Sequence, residues 1–576
     1  MAHFHTKNKN GRPYLYVREI ARVNGKPKVI SQTYIGSPEK VRALIKGDDN
    51  KDGSLRRLKV EEFGSLWLAL NADNDIDLVS IVDEIIPPDP RESGPTLGEY
   101  FLYAVLNRMI EPKSKRAIPE WYQSTAIQQL RPVDVDSLNS QRYWAKWNKV
   151  DQETLEKIAN VFFEKAWQNE ESNGDCLLFD TTNFYTYMAS KTRSELAARG
   201  KNKAGKHHLR QIGMALLVGR DNKLPVFYRE YPGNQHDSKV FGSIMSEMLA
   251  KVAAISKTKQ RITLVFDKGM NAEDNFDIID DSPLMHFVTT YSPWYAREMA
   301  TVSAAKFASV NIPRNRRLEM TNNADDAITA YRTSGEFWGK TRTVVVTNSP
   351  ATARKQEYVF EAKLEAIRTE LLIMRKKTNE GCPQWRDEDE IRERYLALCS
   401  RMHMASEYFE LEFSKAGGAL SMSFRKNAYR TELRKKMFGR NIIITDNIDW
   451  KTEDIVQASL DRYMVEEKFR QANQASQVSA LPMRHWTDAK MRCHLFCCVV
   501  AMTYLRKIEM HLEKAGLKIT AASIMEKMRK LHSVLTINKT GKPVRCMETP
   551  DKTQKKTLEA YGWEINKAGV LQKRPS

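Results

Sequence analysis

The chain has 576 residues, with 91 Lys and Arg against 72 Asp and Glu, a formal net charge of +19 and a pI near 9.4. That length exceeds one ordinary core and predicts roughly three or four structural units, while the charge favours an extended anionic partner, nucleic acid or an anionic membrane surface. No apolar run approaches the roughly 20 residues that span a bilayer, and Met1-Ala2-His3-Phe4-His5-Thr6-Lys7 lacks the hydrophobic segment of a secretory signal, so a cytoplasmic location is expected.

Residues 1–50 are expected to form an antiparallel hairpin region, because Tyr14 to Arg18 and Lys28 to Ser31 alternate apolar with polar around Asn24-Gly25. The stretch from Lys46 to Ser54 reads as a linker. Residues 55–170 read as a helical domain: Leu97, Tyr100, Phe101, Ala104, Val105 and Met109 follow helical spacing, and Leu155, Ile158, Ala159, Phe162 and Phe163 repeat it. Lys113, Lys115, Arg116, Arg131, Arg142 and Lys146, interleaved with Trp121, Trp144 and Trp147, suit either DNA-backbone contact or an ordinary bundle surface.

Two apolar runs then stop on an aspartate: Cys176 to Phe179 before Asp180, and Ile262 to Phe266 before Asp267. Each reads as a buried strand with its acid at the end. Between them lie two further strands, Gln211 to Val218 and Leu224 to Tyr231, with Asp221-Asn222-Lys223 as the turn, then a helix from about Asp237 to Ala254. This order of strand, strand, strand, helix, strand is that of an RNase H-like α/β fold, in which the fourth strand returns parallel beside the first and brings the two acids together. Asp237, before the helix, reads as a helix cap or sheet-edge residue.

Residues 171–290 are thus the first part of this core. Residues 291–440 read as an inserted α+β subdomain, with strands at 343–347, 408–413 and 420–424 and helices at 357–377 and 390–399, and residues 441–515 as the second part of the core. The latter opens with the strand Asn441 to Thr445, followed by a helix from about Thr452 to Asn473. Residues 516–576 read as a weakly structured tail with a short helical piece. The cluster Cys493-His494-Leu495-Phe496-Cys497-Cys498 sits in an apolar helical run and reads as core rather than a zinc site. Seven cysteines, an odd number spread through a long chain, suit a reducing compartment.

Two-metal phosphoryl transfer needs about three carboxylates around ions roughly 3.5–4 Å apart. The helix offers Glu466 and Glu467. Helical spacing sets Arg462, Glu466 and Arg470 on one stripe and puts Glu467 on the face of Leu460, Tyr463 and Met464, so periodicity accepts either acid.

Asp180-Thr181-Thr182, the strand ending in Asp267, and Glu466-Glu467 followed by Phe469 resemble the DDE transposases of bacterial insertion sequences, in the group with a Tyr-Arg-Glu-Lys signature. Tyr231-Pro232-Gly233-Asn234-Gln235-His236-Asp237, Leu481 to Asp488 and His494-Leu495-Phe496 resemble the insertion sequence 4-like superfamily, and most the insertion sequence 1634-like branch. The resemblance selects Glu466, with Arg462 in the signature's Arg position. Ser459, Arg470 and Asn473 depart from the signature's Tyr and two Lys.

What the resemblance implies is a transposase that cleaves phosphodiesters at transposon ends and joins the 3′-hydroxyl to target DNA. Asp180, Asp267 and Glu466 would be its catalytic and metal-holding residues, with two Mg²⁺ as cofactor, Mn²⁺ able to substitute, and Arg462 and Arg470 on DNA phosphates. The implied partners are double-stranded DNA and a second copy of the chain in the synaptic complex, with no membrane. Trp294 and Trp338 are the aromatics available to stack on an unpaired base. An RNase H-like nuclease without strand transfer, and a non-catalytic DNA-binding derivative, are the competing readings.

Overall fold

The computed structural model describes residues 2–9, 12–23, 26–36, 55–168, 170–171, 174–188, 192–200, 205–206, 208–255, 261–416, 418–538 and 543–574. The Asn24-Gly25 turn and the linker read over Lys46 to Ser54 lie outside the described residues. The chain forms two compact units: Met1–Phe162 with Gln471–Ala480 and Ala489–Ser576, and Phe163–Arg470 with Leu481–Asp488.

The first unit opens with a three-stranded antiparallel sheet of Ala2–Lys9, Arg12–Val23 and Lys26–Gly36. Its helices include Leu97–Ile110, started by a Thr96–Glu99 capping box that satisfies both ends of the first turn, and the long apolar helix Asp488–Lys514. Cys493, His494, Cys497 and Cys498 are buried on that helix, and His494 Nε2 pairs with the Ala480 carbonyl at 3.1 Å, a core arrangement as read from the sequence. The basic and aromatic surface expected here is only partly a surface. Trp121, Trp147 and Lys115 are buried, whereas Trp144 is exposed. Helical spacing also hid two β contributions: Leu55–Glu62 is a strand paired antiparallel with His532–Asn538, and the C-terminal segment carries four strands beside its helices Ala521–Met528 and Lys552–Ala560. Short alternating strands such as Val534 to Ile537 lack the long apolar run that marks a buried one.

The second unit is built on a mixed ten-stranded sheet within an α/β fold. Its main elements are β1 (Cys176–Thr186), β2 (Arg210–Gly219), β3 (Pro225–Pro232), α1 (Asp237–Ile255), β4 (Ile262–Phe266), α2 (Glu273–Asp281), β5 (Met285–Tyr291), β6 (Thr329–Phe337), β7 (Lys340–Asn348), α3 (Pro350–Asn379), α4 (Glu388–Arg401), β8 (Phe409–Ala416), β9 (Ala419–Lys426), α5 (Ala428–Lys436), β10 (Arg440–Thr445), α6 (Thr452–Asp461) and α7 (Tyr463–Asn473). Across the sheet the order is β6-β7-β10-β5-β4-β1-β2, with β3 on the far side of β2. The two-residue strands Ala308–Ser309 and Ala198–Arg199 add to β6 and β2.

β1, β2 and β3 form an antiparallel meander, and β4 returns parallel to β1, with β5 parallel beside β4. This is the strand order read from the sequence. Near-continuous burial of β2 and β4 explains their unbroken apolar runs, since a central strand covered on both faces has no solvent side to alternate with. Phe179 on β1 meets Phe241 on α1 at 5.0 Å, and Phe241 meets Phe266 on β4 at 4.8 Å, so the helix is pinned to the two strands that carry the aspartates.

Three expectations change. Asp180 does not end its strand: β1 runs on to Thr186, because its pairing with β2 continues from Leu177 to Thr186 although its pairing with β4 stops at Leu178. The insertion is not a separate body throughout, since β6 and β7 join the core sheet and β7 pairs with β10 from Thr343 to Asn348. Within it, α3, α4 and the β8–β9 hairpin gather a distinct cluster, around Phe360, Leu364, Ile367, Ile391, Tyr395 and Met422. The single helix expected over 452–473 is divided, with Arg462 at the junction between α6 and α7.

Candidate functional site

The parallel register sets Leu178 opposite Val265. Two residues past that pair stand Asp180, still within β1, and Asp267, the residue that follows β4. Asp180 accepts from the Thr181 backbone N–H at 2.8 Å. Asp267 accepts from Thr290 Oγ1 of β5 at 3.2 Å.

Arg462 reaches the same place from the helix junction. Its Nη1 lies 2.6 Å from Asp267 Oδ1, and its Nη2 lies 3.5 Å from Glu466 Oε1 one turn along. Asp267 and Glu466 are thus joined through one guanidinium. Among the described residues, no three His, Cys, Asp or Glu side chains stand close enough together to hold a metal ion. The donor chemistry nevertheless fits a hard divalent cation, since all three predicted ligands are carboxylates, and Arg462 is a positive group already standing between two of them. Arg470 is exposed further along the helix. Glu467 is exposed too, against the expectation that it faces the packed side; the buried residues of α7 are Val465, Lys468, Phe469 and Ala472, a stripe that leaves both glutamates outside.

The neighbouring Asp461 is committed elsewhere. Arg220 Nε donates to it at 2.7 Å and Gln457 at 2.6 Å. This anchors the end of α6 to the turn after β2 and leaves Arg462 to the site.

Sequence reading places Tyr231 at a strand end and gives it no role in the site. Its hydroxyl donates to Asp237 Oδ1 at 3.1 Å, so Asp237, at the start of α1, is tied to β3 rather than simply capping its helix. Burial raises the Tyr231 phenol well above its ordinary pKa, with the charges of Asp237 and Asp180 adding to the effect, which keeps it a neutral donor. Its ring lies over Gly213 of β2, where a Cβ would come within 2.0 Å of it. The signal is available in the pairing of a lone glycine in an apolar strand with the aromatic opposite it. Asp488, in the segment that carries the family resemblance, also gains a role: its carboxylate accepts from Ser194 Oγ and from the Glu195 and Leu196 backbone N–H groups, fastening the chain that follows β1.

The two tryptophans part company. Trp338 stacks on Phe276 at 3.5 Å and meets Phe287, Tyr291 and Phe337, a structural packing role. Trp294 is 38% exposed and borders a cavity of about 660 Å³ that is also lined by Lys355, Lys363, His403, Tyr408 and Arg434. The Arg297 guanidinium lies 4.1 Å from the Trp294 ring centroid.

No protein-family model matches the chain, and no curated protein matches it. Among solved structures, the chain is similar to a piggyBac transposase in a synaptic complex with hairpin DNA, at 9% identity and a TM-score of 0.37 over 82% of each chain. A likeness at that level carries no argument about this chain. Among the described residues, no helix is long and apolar enough to cross a membrane.

Proposed function

We propose that this chain is a DDE transposase of the insertion sequence 4-like superfamily, in the 1634-like branch, with an RNase H-like catalytic unit. In this reading it cuts phosphodiesters at transposon ends and joins the freed 3′-hydroxyl to target DNA by in-line phosphoryl transfer. The observation that carries the reading is the parallel register of β1 on β4, which pairs Leu178 with Val265, each two residues before an aspartate, Asp180 and Asp267.

Asp180, Asp267 and Glu466 would hold two Mg²⁺, and the chemistry so supplied is activation of the attacking oxygen and stabilisation of the leaving one. The chain's own residues do the rest. Thr290 orients the Asp267 carboxylate, and Tyr231 holds Asp237 at the start of α1. Arg462 and Arg470 would grip phosphates near the scissile bond through bidentate hydrogen bonds. Trp294, with an accessible edge beside a cationic cavity, is the better platform for an unpaired base than Trp338. Two transposon ends held together call for a homodimer on double-stranded DNA.

The test is Mg²⁺-dependent cleavage and joining by Asp180→Asn, Asp267→Asn, Glu466→Gln and Glu467→Gln. The first three should lose cleavage by roughly a hundredfold or more, and Glu467→Gln should retain it. Full activity in any of the first three would refute the assignment. Cleavage by the unsubstituted chain without joining of pre-cut ends would favour a nuclease instead.

A further inference from the structure

We infer that Arg462 is the resting counter-ion of the acid site: a divalent cation enters only by displacing its guanidinium, which is thereby released to a DNA phosphate. The inference rests on the reading of Asp180, Asp267 and Glu466 as metal ligands and adds to it the order of events at that site.

The geometry is that of a charge already in place. Arg462 is only 21% exposed, with its two terminal nitrogens on two different carboxylates, Asp267 at 2.6 Å and Glu466 at 3.5 Å. Carboxylates brought together without a cation between them repel. The guanidinium, paired with both, offsets that repulsion. A divalent ion held by the same carboxylates would compete with it, because like charges that close repel strongly. The adjacent Asp461 cannot take it up, since it is committed to Arg220 and Gln457.

Arg462 sits at the junction where α6 ends and α7 begins, and the two carboxylates it pairs with are themselves 34% and 51% exposed. A phosphate offers the same bidentate geometry as the carboxylates it would give up. Metal and DNA should therefore bind cooperatively, each favouring the state in which the guanidinium has moved, and by linkage the coupling must be equal in both directions.

The experiment uses the full chain and Mn²⁺, with binding followed by calorimetry and by the spin-resonance signal of the free ion. Without DNA, Arg462→Gln should bind Mn²⁺ roughly tenfold or more tightly than the unsubstituted chain, and Arg462→Lys, whose ammonium cannot bridge both acids, should fall between them. A short random-sequence duplex should tighten Mn²⁺ binding in the unsubstituted chain and lose that effect in Arg462→Gln. Asp267→Asn should abolish binding in every background.

Equal or weaker Mn²⁺ affinity in both Arg462 variants, with Asp267→Asn still abolishing it, would overturn the counter-ion role and leave the metal reading standing. So would coupling to DNA that persists undiminished in Arg462→Gln. If no Asp267-dependent Mn²⁺ binding is found in any folded variant, the acids are not a metal site and both readings fall.

Discussion

Lys115 shows how far one side chain can depart from its surface stereotype. Its ammonium is buried in the first unit, 4.8 Å from the Trp147 ring and 5.5 Å from that of Tyr143, and among the described residues it has no hydrogen-bond partner. Burial, with the nearby Arg108 charge, pushes its pKa from 10.5 down to about 7. Between those two values the unfolded chain holds a proton that the folded chain releases, so stability rises with pH across that window, and below the lower value the full penalty of a buried charge applies. Lys115→Met should therefore stabilise the protein by a few kcal/mol at about pH 6 and much less at about pH 9. Urea denaturation at both pH values measures it, and a gain independent of pH would show that the folded chain keeps this lysine protonated across that range. Sequence reading offers this lysine as a phosphate contact because composition alone cannot distinguish a cation beside aromatic rings on a surface from one enclosed by them. Trp147, fully buried, escapes it for the same reason.

At the scale of elements, the meander of β1 to β3 depends on one close approach. Gly213 on β2 pairs with Tyr231 on β3, and the aromatic ring fills the space a Cβ would take. Gly213→Ala must displace that ring and with it the hydroxyl that holds Asp237. Thermal unfolding should show a loss of roughly 1–3 kcal/mol, the range for overpacking. A Tyr231→Phe chain, which keeps the ring and removes only the hydrogen bond, should lose less. Strands buried on both faces are legible because their apolar runs are unbroken, and so is the order that brings Asp180 and Asp267 together. The true end of β1 is not, because Thr181 to Thr186 has left β4, runs along β2, and lacks the unbroken apolar run of the residues before it. The break at Arg462 is hidden as well: Tyr463 and Met464 continue the helical spacing, and neither glycine nor proline marks the junction. The guanidinium's two acid partners come from a strand end and from the helix itself. Only the second of these lies within reach of sequence periodicity.

At the scale of the whole molecule, the two ends of the insertion meet at one point on the sheet. Ser349 N–H donates to the Gly439 carbonyl at 2.9 Å, and Gly439 has φ +71° with the Ser349 carbonyl 2.5 Å from where a Cβ would stand. The chain therefore leaves the sheet after β7 and rejoins it before β10 at one point, with β7 and β10 paired directly below. Replacing residues 350–438 with a short Gly-Ser linker, while keeping Ser349 and Gly439, closes a gap already closed in the native chain, so the loop-entropy change is small. Circular dichroism should show the sheet unit still folded, with a cooperative transition. Extending the deletion through Ile444 removes β10 from between β5 and β7 and should abolish that transition. Lys355, Lys363 and Arg434 go with the excised segment. If they touch DNA, the slope of log affinity against log salt should become shallower by about 0.9 for each phosphate that is no longer neutralised. An unchanged slope would mean that the cavity beside Trp294 faces no nucleic acid, and that the excess positive charge acts through the rest of the chain.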